Sequence, residues 1–350
     1  MINVLVVEDS AVVLELLVHI LSADPAIRIV GKARHGEEAI EMVERLRPDI
    51  VTMDIHMPRL DGIEATRRIM ETVPTPIVIV SGSSDPEEVA TTFAAIEAGA
   101  LAVLERPYGP GHPEHERTAK GLVQTVKLMS EVRVVRRWAR LRPGATAPAP
   151  QVAASVARRV EIVAIGASTG GPPVLHCILE ELPREFSLPI VIVQHMAAGF
   201  LDGFAEWLSH STGIPVRLAA HGDVVQAGRA YLAPDAMQMR VEAGGRIVLA
   251  DDPPENGLRP SVSYLFRSVA SAYRDRAVAG LLSGMGRDGA RELKLLRDRG
   301  ATTFAQDRET SVVHGMPGEA IRLEGAAHVL PPEGIAALLA RVGGKRRHEG

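Results

Sequence analysis

Val163-Ala164-Ile165-Gly166-Ala167-Ser168-Thr169-Gly170-Gly171-Pro172 decides how the chain folds. Its apolar run reads as a buried strand, and the Gly-Gly-Pro that follows reads as a turn opening a helix. Ser168 therefore stands at the carboxyl end of a strand and faces the start of the next helix. In open α/β sheets that edge is where ligands bind. Gly166 and Gly170 flank the serine at the Gly-x-Ser-x-Gly spacing of a nucleophile elbow, whose sharp bend exposes the hydroxyl.

The same alternation extends outward from this turn. On the C-terminal side, strands fall near 160–166, 189–194, 215–218, 229–233, 246–250, 277–282 and 301–305. Helical patterns lie near 172–182, 198–210, 261–273, 289–299 and 331–342. The stretch 216–250, with Gly244-Gly245 between apolar runs, reads as a β-hairpin inserted into a parallel sheet. On the N-terminal side, strands near 3–9, 27–33, 49–54, 76–81 and 101–105 alternate with helices near 10–21, 36–46, 61–71 and 86–98. An amphipathic pattern from Arg117 to about Arg140 puts Leu122, Val126, Met129 and Val132 on one face, and 143–157 is a Pro/Ala-rich linker. The fold class is α/β, with two doubly wound parallel-sheet domains. The expected layout is a first domain over 1–125, a helix and linker over 126–157, and a second domain over 158–345.

Composition narrows the function classes. A chain of 350 residues is long enough for two cores, and with aromatics at 3% those cores must be filled by Val, Ile, Leu and Ala. A net charge of −4 argues against a nucleic-acid partner. The single cysteine, Cys177, excludes an internal disulfide framework and fits a reducing compartment. Glu8 and Asp9 stand where a signal peptide would carry Lys or Arg, and no apolar run approaches a membrane span. A cytoplasmic protein with no direct membrane insertion is expected.

Chemistry-bearing residues gather at strand ends. Glu8 and Asp9 end the first strand, Asp54 the third and Ser81 the fourth, and Arg106 follows the fifth. Three acids on one rim repel one another unless a divalent cation neutralises them, and an oxygen-only set suits Mg²⁺. In the second half Ser168, His195 and Asp288 each follow an apolar strand, so a parallel sheet brings them to one rim. A serine attacks a carbonyl only with a base to take its proton and a group to hold that base. Taken singly, Ser168 and Asp288 also read as helix caps and His195 as a polar strand-end residue. Near His112, Glu114 and His115, Pro113 breaks helical spacing, and no metal is expected there.

Gly-x-Ser-x-Gly alone also fits a generic α/β-hydrolase. That fold orders its triad serine, acid, histidine, and would require His314 or His328 as base. A non-catalytic regulator acting on DNA would need a basic recognition helix, and none is evident. A phosphate loop at 166–171 lacks both glycine-rich nucleotide patterns.

Met53-Asp54-Ile55-His56-Met57-Pro58-Arg59-Leu60-Asp61-Gly62, with Glu8, Asp9 and Ser81, resembles the phosphoacceptor pocket of a response-regulator receiver domain over roughly residues 1–125. The resemblance implies a flavodoxin-type fold, with Asp54 accepting a phosphoryl group. Glu8, Asp9 and Asp54 would hold Mg²⁺, and Ser81 would be the switch hydroxyl. Two positions depart: Arg106 stands where the family has lysine, and Val103 where it has an aromatic.

Gly166–Pro172, Gln194-His195-Met196, Ser283–Gly289, Ala305-Gln306-Asp307 and Val312–Pro317 together resemble the chemotaxis protein-glutamate methylesterase family over most of 160–345. This implies a Rossmann-like domain, with Ser168 as nucleophile, His195 as base and Asp288 orienting it. Backbone N–H groups of Thr169 and Met285 would be the oxyanion donors, with no cofactor for the ester chemistry. The implied reaction is hydrolysis of glutamyl methyl esters on the cytoplasmic region of chemoreceptors, with deamidation of receptor glutamine. The implied phosphodonor is a chemotaxis-type histidine kinase. Ala197-Ala198 replaces the usual proline and Gln238 a common histidine, changes expected to shape the substrate groove.

The order of the triad separates the two enzyme readings. His195→Ala is expected to abolish ester hydrolysis and His314→Ala to leave it intact, in an assay of methanol release; the α/β-hydrolase order requires the reverse for His314.

Overall fold

The computed structural model of the chain describes residues 1–82, 86–132, 134 and 160–343, with 86–91 described by backbone alone. The chain divides into two compact units.

The first unit alternates strand and helix: β1 (Ile2–Val7), α1 (Ala11–Ser22), β2 (Ile27–Ala33), α2 (Gly36–Leu46), β3 (Ile50–Met53), α3 (Gly62–Thr72), β4 (Ile77–Ser81), α4 (Pro86–Ala98), β5 (Ala102–Glu105) and α5 (His115–Ser130). The strands form one parallel sheet in the order β2-β1-β3-β4-β5. Its central strands are continuous apolar runs, because helices cover both faces and no strand side meets water. The strand order reverses between β1 and β3, so the ligand crevice of this sheet lies outside their carboxyl ends. Asp61 caps α3 by accepting from Glu64 N–H at 2.8 Å, which fixes where the chain turns after Asp54. The expected apolar face of α5 is buried at Leu122, Val126 and Met129, while Val132 is half-buried beyond the helix end. The rest of the expected helix, from 135, and the linker at 143–157 lie outside the described residues.

The second unit comprises β6 (Ile162–Ala167), α6 (Gly171–Glu180), β7 (Ile190–Gln194), α7 (Leu201–Thr212), β8 (Val216–Leu218), β9 (Ala230–Leu232), β10 (Gln238–Val241), β11 (Ile247–Ala250), α8 (Val262–Ala272), β12 (Ala277–Leu281), α9 (Ala290–Asp298), β13 (Thr302–Gln306), α10 (Met316–Arg322), β14 (His328–Leu330) and α11 (Pro332–Gly343). Seven strands form a parallel sheet in the order β14-β13-β12-β6-β7-β9-β8. The switch point lies between β6 and β12, and every residue of both strands is buried.

The inserted hairpin is shorter than the sequence reading of 216–250. β8 and β9 are parallel neighbours in the main sheet, because the chain between them crosses over instead of turning back. Only β10 and β11 pair antiparallel, from Gln238↔Ala250 to Val241↔Ile247. Gly244 and Gly245 sit in their turn with φ of +83° and +84°, a conformation that glycine takes without strain. The sequence reading also missed α10 and β14. α10 has seven residues and opens Met316-Pro317-Gly318, a composition that reads as loop although proline is tolerated in a first turn. β14 has three residues, too few for an alternation to register.

Gly280, in the middle of β12, permits the close packing of β12 on β13. A Cβ built there would stand 2.1 Å from the Phe304 ring, which is fully buried. Gly280→Ala is therefore expected to destabilise the second unit by about 1–3 kcal/mol through overpacking. Reduced hydrogen-exchange protection of β12 and β13 amides, with β1 and β3 amides unaffected, is the measurement that checks it.

Candidate active site

Ser168 is held by its backbone at the end of β6. Its N–H donates to Ser283 O at 3.0 Å, and its carbonyl accepts from Gly171 N–H at 2.8 Å and Gln194 Nε2 at 2.9 Å. Gly170 completes the bend with φ +75°, and a Cβ there would stand 2.4 Å from Val312 Cβ. The turn delivers the chain directly into α6, which opens Gly171-Pro172-Pro173, prolines being tolerated where a first turn has no amide to pair.

His195 follows β7 and donates its N–H to Ala167 O at 2.9 Å. Gln194 Nε2 also donates to His195 O at 2.8 Å, so one carboxamide ties the backbones of serine and histidine together. The imidazole is 11% exposed, and its Nε2 lies 3.1 Å from Asp288 Oδ2. With Nε2–H donated to that carboxylate, the ring's lone pair is on Nδ1. Ser168 Oγ makes no hydrogen bond among the described residues; such contacts commonly tighten only around substrate.

Asp288 is 2% exposed and well supplied with donors. Oδ2 also accepts from Val262 N–H at 2.6 Å. Oδ1 accepts from Ser261 Oγ at 2.9 Å, Ser263 N–H at 3.1 Å and Asn256 Nδ2 at 3.3 Å. The two amides open α8, so the carboxylate sits at a helix N-terminus. Burial acts to raise the Asp288 pKa, but pairing with His195 and the bonds from Ser263 and Val262 outweigh it and hold the carboxyl far below its usual range.

Gln238 corrects a sequence expectation. It does not face a substrate groove but is fully buried in β10. Its Oε1 accepts from Ser261 N–H at 2.9 Å, and its Nε2 donates to Pro253 O and Leu258 O at 3.2 and 3.3 Å. A carboxamide both accepts and donates, so this residue fixes the loop that carries Ser261 to Asp288. Asn256, Ser261 and Ser263 were not singled out by sequence reasoning, and Gln194 entered only within its motif. Ser261 left a signal, a serine opening the helical pattern at 261–273.

Ser283 stitches the turn at Ser168 to the loop after β13. Its Oγ donates to Thr169 O at 2.7 Å and accepts from Val313 N–H at 2.9 Å, while its N–H donates to Gln306 Oε1 at 2.8 Å. A Cβ at Gly284 would stand 2.9 Å from Ser168 Cβ, which brings the Gly284-Met285 segment against the serine. Thr169 is half-buried and Met285 46% exposed on that side. The histidines of the α/β-hydrolase alternative make other contacts, though His314 is bridged through its backbone to Gly284. His314 Nδ1 pairs with Ser311 Oγ at 3.2 Å, and His328 lies in the edge strand β14.

On the first sheet, Glu8 and Asp54 are buried and Asp9 is exposed, with one carboxylate oxygen from each within 4.8 Å of the others. Glu8 Oε1 accepts from Ser10 N–H at 3.2 Å and Asp54 Oδ1 from Ile55 N–H at 2.9 Å, while buried Glu8 Oε2 has no hydrogen-bond donor. Burial pushes the Glu8 carboxyl up to about 7, reinforced by the Asp54 charge and opposed by Arg106. Burial likewise raises Asp54, again opposed by Arg106. An all-carboxylate set with an orphaned buried oxygen fits a hard divalent cation such as Mg²⁺. Arg106 Nη2 stands 3.3 Å from Glu8 Oε2 and 3.4 Å from Asp54 Oδ1. Buried Ser81 accepts Arg106 N–H on its carbonyl at 2.8 Å, and Val103 is half-buried in β5. His112 and His115 are taken up locally, His112 Nδ1 accepting from Glu114 N–H and His115 Nδ1 lying 2.6 Å from Tyr108 O.

A strand-end serine beside a His–Asp pair, on a chain that also carries an acidic receiver-type pocket, defines a receiver-linked hydrolase. The sequence matches the CheB methylesterase family over residues 163–339 and the response regulator receiver domain over residues 4–113. The chain belongs to the CheB methylesterase family. A relative from Nitrosospira multiformis, named protein-glutamate methylesterase/protein-glutamine glutaminase, is 60% identical across 99% of this chain and 98% of its own. One of the same description from Geobacter metallireducens is 58% identical across 97% and 98%. The crystal structure of the Thermotoga maritima CheB methylesterase catalytic domain covers 52% of this chain and 98% of its own at 36% identity, with a TM-score of 0.51.

Asp288→Asn turns one acceptor oxygen into a donor amid groups that already donate. The expected result is a loss of about 10⁴-fold in kcat and about 2–4 kcal/mol of stability. The pH dependence follows from the sign of the shift. A carboxyl held below its ordinary 3.8 binds fewer protons folded than unfolded, so its stabilisation is complete above that value and is lost as pH falls below it. Thermal unfolding of wild type and variant across the acid range should therefore show a shallower slope for the variant.

Proposed function

We propose that this chain hydrolyses γ-glutamyl methyl esters on the cytoplasmic helices of chemoreceptors to glutamate and methanol, and deamidates receptor glutamine. The observation that carries the reading is the His195–Asp288 pair, 3.1 Å apart on the sheet rim that also carries Ser168. His195 Nδ1 takes the proton from Ser168 Oγ as that oxygen bonds to the ester carbonyl carbon. The imidazolium formed is stabilised by the Asp288 carboxylate, and the carbonyl oxygen gains its negative charge toward the N–H groups of Thr169 and Met285. Collapse of the tetrahedral species breaks the bond to methoxide, which leaves as methanol with the proton from His195. Water, deprotonated by the same nitrogen, then attacks the acyl carbon and releases the glutamate carboxylate and Ser168. With an amide the leaving group is ammonia. His195 carries every proton, and the ester chemistry uses no cofactor.

The receiver-type unit supplies control. Asp54 would accept a phosphoryl group from a chemotaxis-type histidine kinase, with Arg106 beside it and Ser81, at the end of the neighbouring strand, as the switch hydroxyl. Mg²⁺ held by Glu8, Asp9 and Asp54 would neutralise charge during that transfer. The proposed layout is a receiver domain over 1–125, a helix and linker over 126–157 and a catalytic domain over 158–345. A cytoplasmic location follows from the substrate; among the described residues no helix is long and apolar enough to cross a membrane.

Methanol release from a methylated receptor fragment tests the reading. Ser168→Ala and His195→Ala are each expected to lower the rate by about 10³-fold or more, with unchanged circular dichroism. A folded variant keeping over about a tenth of the wild-type rate would overturn the assignment.

A further inference from the structure

We propose that Arg106 is a resident counter-cation of the phosphoacceptor pocket, which a divalent metal must displace from Glu8 and Asp54, and that Gly82 provides the room that holds it there. This rests on the reading of Glu8, Asp9 and Asp54 as the metal ligands. The guanidinium stands within ion-pair distance of two buried carboxylates at once, at 3.3 and 3.4 Å. These are two of the three groups a metal would use. Two positive charges cannot share the same carboxylates without mutual repulsion, and with Glu8 and Asp54 buried that repulsion is screened less than at an open surface.

The contacts also explain why the guanidinium is displaceable. Glu8 Oε2 has no hydrogen-bond donor and Arg106 Nε is buried without an acceptor, so charge proximity rather than a forked hydrogen-bonded pair holds the group. Space supplies the rest of its seat. A Cβ at Gly82 would stand 2.9 Å from Nη1, 3.0 Å from Cζ and 3.2 Å from Nε of Arg106. Any side chain at 82 would thus force the guanidinium out of the seat in which it meets the two acids. Lysine, a point charge on a flexible stem, would not need that space.

Mg²⁺ titration of the full chain by isothermal calorimetry tests this. Arg106→Ala is expected to bind Mg²⁺ about tenfold tighter than wild type, because a competing charge is gone. Gly82→Ala is expected to shift affinity in the same direction by a smaller factor, and Asp9→Asn to weaken it. Arg106→Ala binding no tighter than wild type, with Asp9→Asn still weaker, would overturn the proposal and leave the metal site standing. Equal titrations of wild type, Arg106→Ala and Asp9→Asn would overturn the metal-site reading and this proposal with it. If Arg106→Ala does not fold, Gly82→Ala decides alone: an affinity equal to or below wild type overturns the proposal.

Discussion

The catalytic half depends on keeping one carboxylate charged in a site nearly closed to water. Asp288 has two oxygens and five donors: His195, Val262, Ser263, Ser261 and Asn256. A buried anion costs several kcal/mol unless its lone pairs are met. Meeting them fixes the start of α8, the loop before it and the ring plane of His195. The hairpin β10–β11 fits the same requirement, because Gln238 on β10 holds Ser261, and Ser261 holds Asp288. An insertion that looks peripheral in the topology is two hydrogen bonds away from the acid.

The parallel sheet supplies the convergence at little further cost. In the order β12-β6-β7, three neighbouring strands end at one rim, and each releases one of Asp288, Ser168 and His195. Gln194 and Ser283 then lock the three turns to one another through backbone carbonyls and amides. These bonds set the backbone positions from which the three side chains project.

Much of this was legible in the sequence, for a physical reason. Strands buried on both faces read as uninterrupted apolar runs, and the residues after them are the ones a parallel sheet gathers. Ser168, His195, Asp288, Glu8 and Asp54 were visible on that ground alone. What stayed hidden depends on distance in space. Asn256 and Ser263 look like any loop and helix residues until the N-terminus of α8 is seen to meet Asp288, and Gln238 reads as a substrate-groove change because nothing local marks it as buried. The hairpin was drawn too long because three-residue strands carry no period from which pairing direction can be read. Gly82 has no sequence signal at all; its meaning is the absence of a Cβ beside Arg106.

The two rims use the same constraint with opposite outcomes. Asp288 is buried and supplied with donors, and its carboxyl is driven down; it stays an anion and pairs with the His195 ring. Glu8 and Asp54 are buried with few donors, and their carboxyls are driven up. A site of the first kind is finished when the chain folds, since its charge is balanced by bonds within the unit. A site of the second kind is incomplete, and its unmet negative charge is what an incoming cation would balance. The difference between the two buried acid sites thus comes down to how many N–H and O–H groups the fold points at each carboxylate.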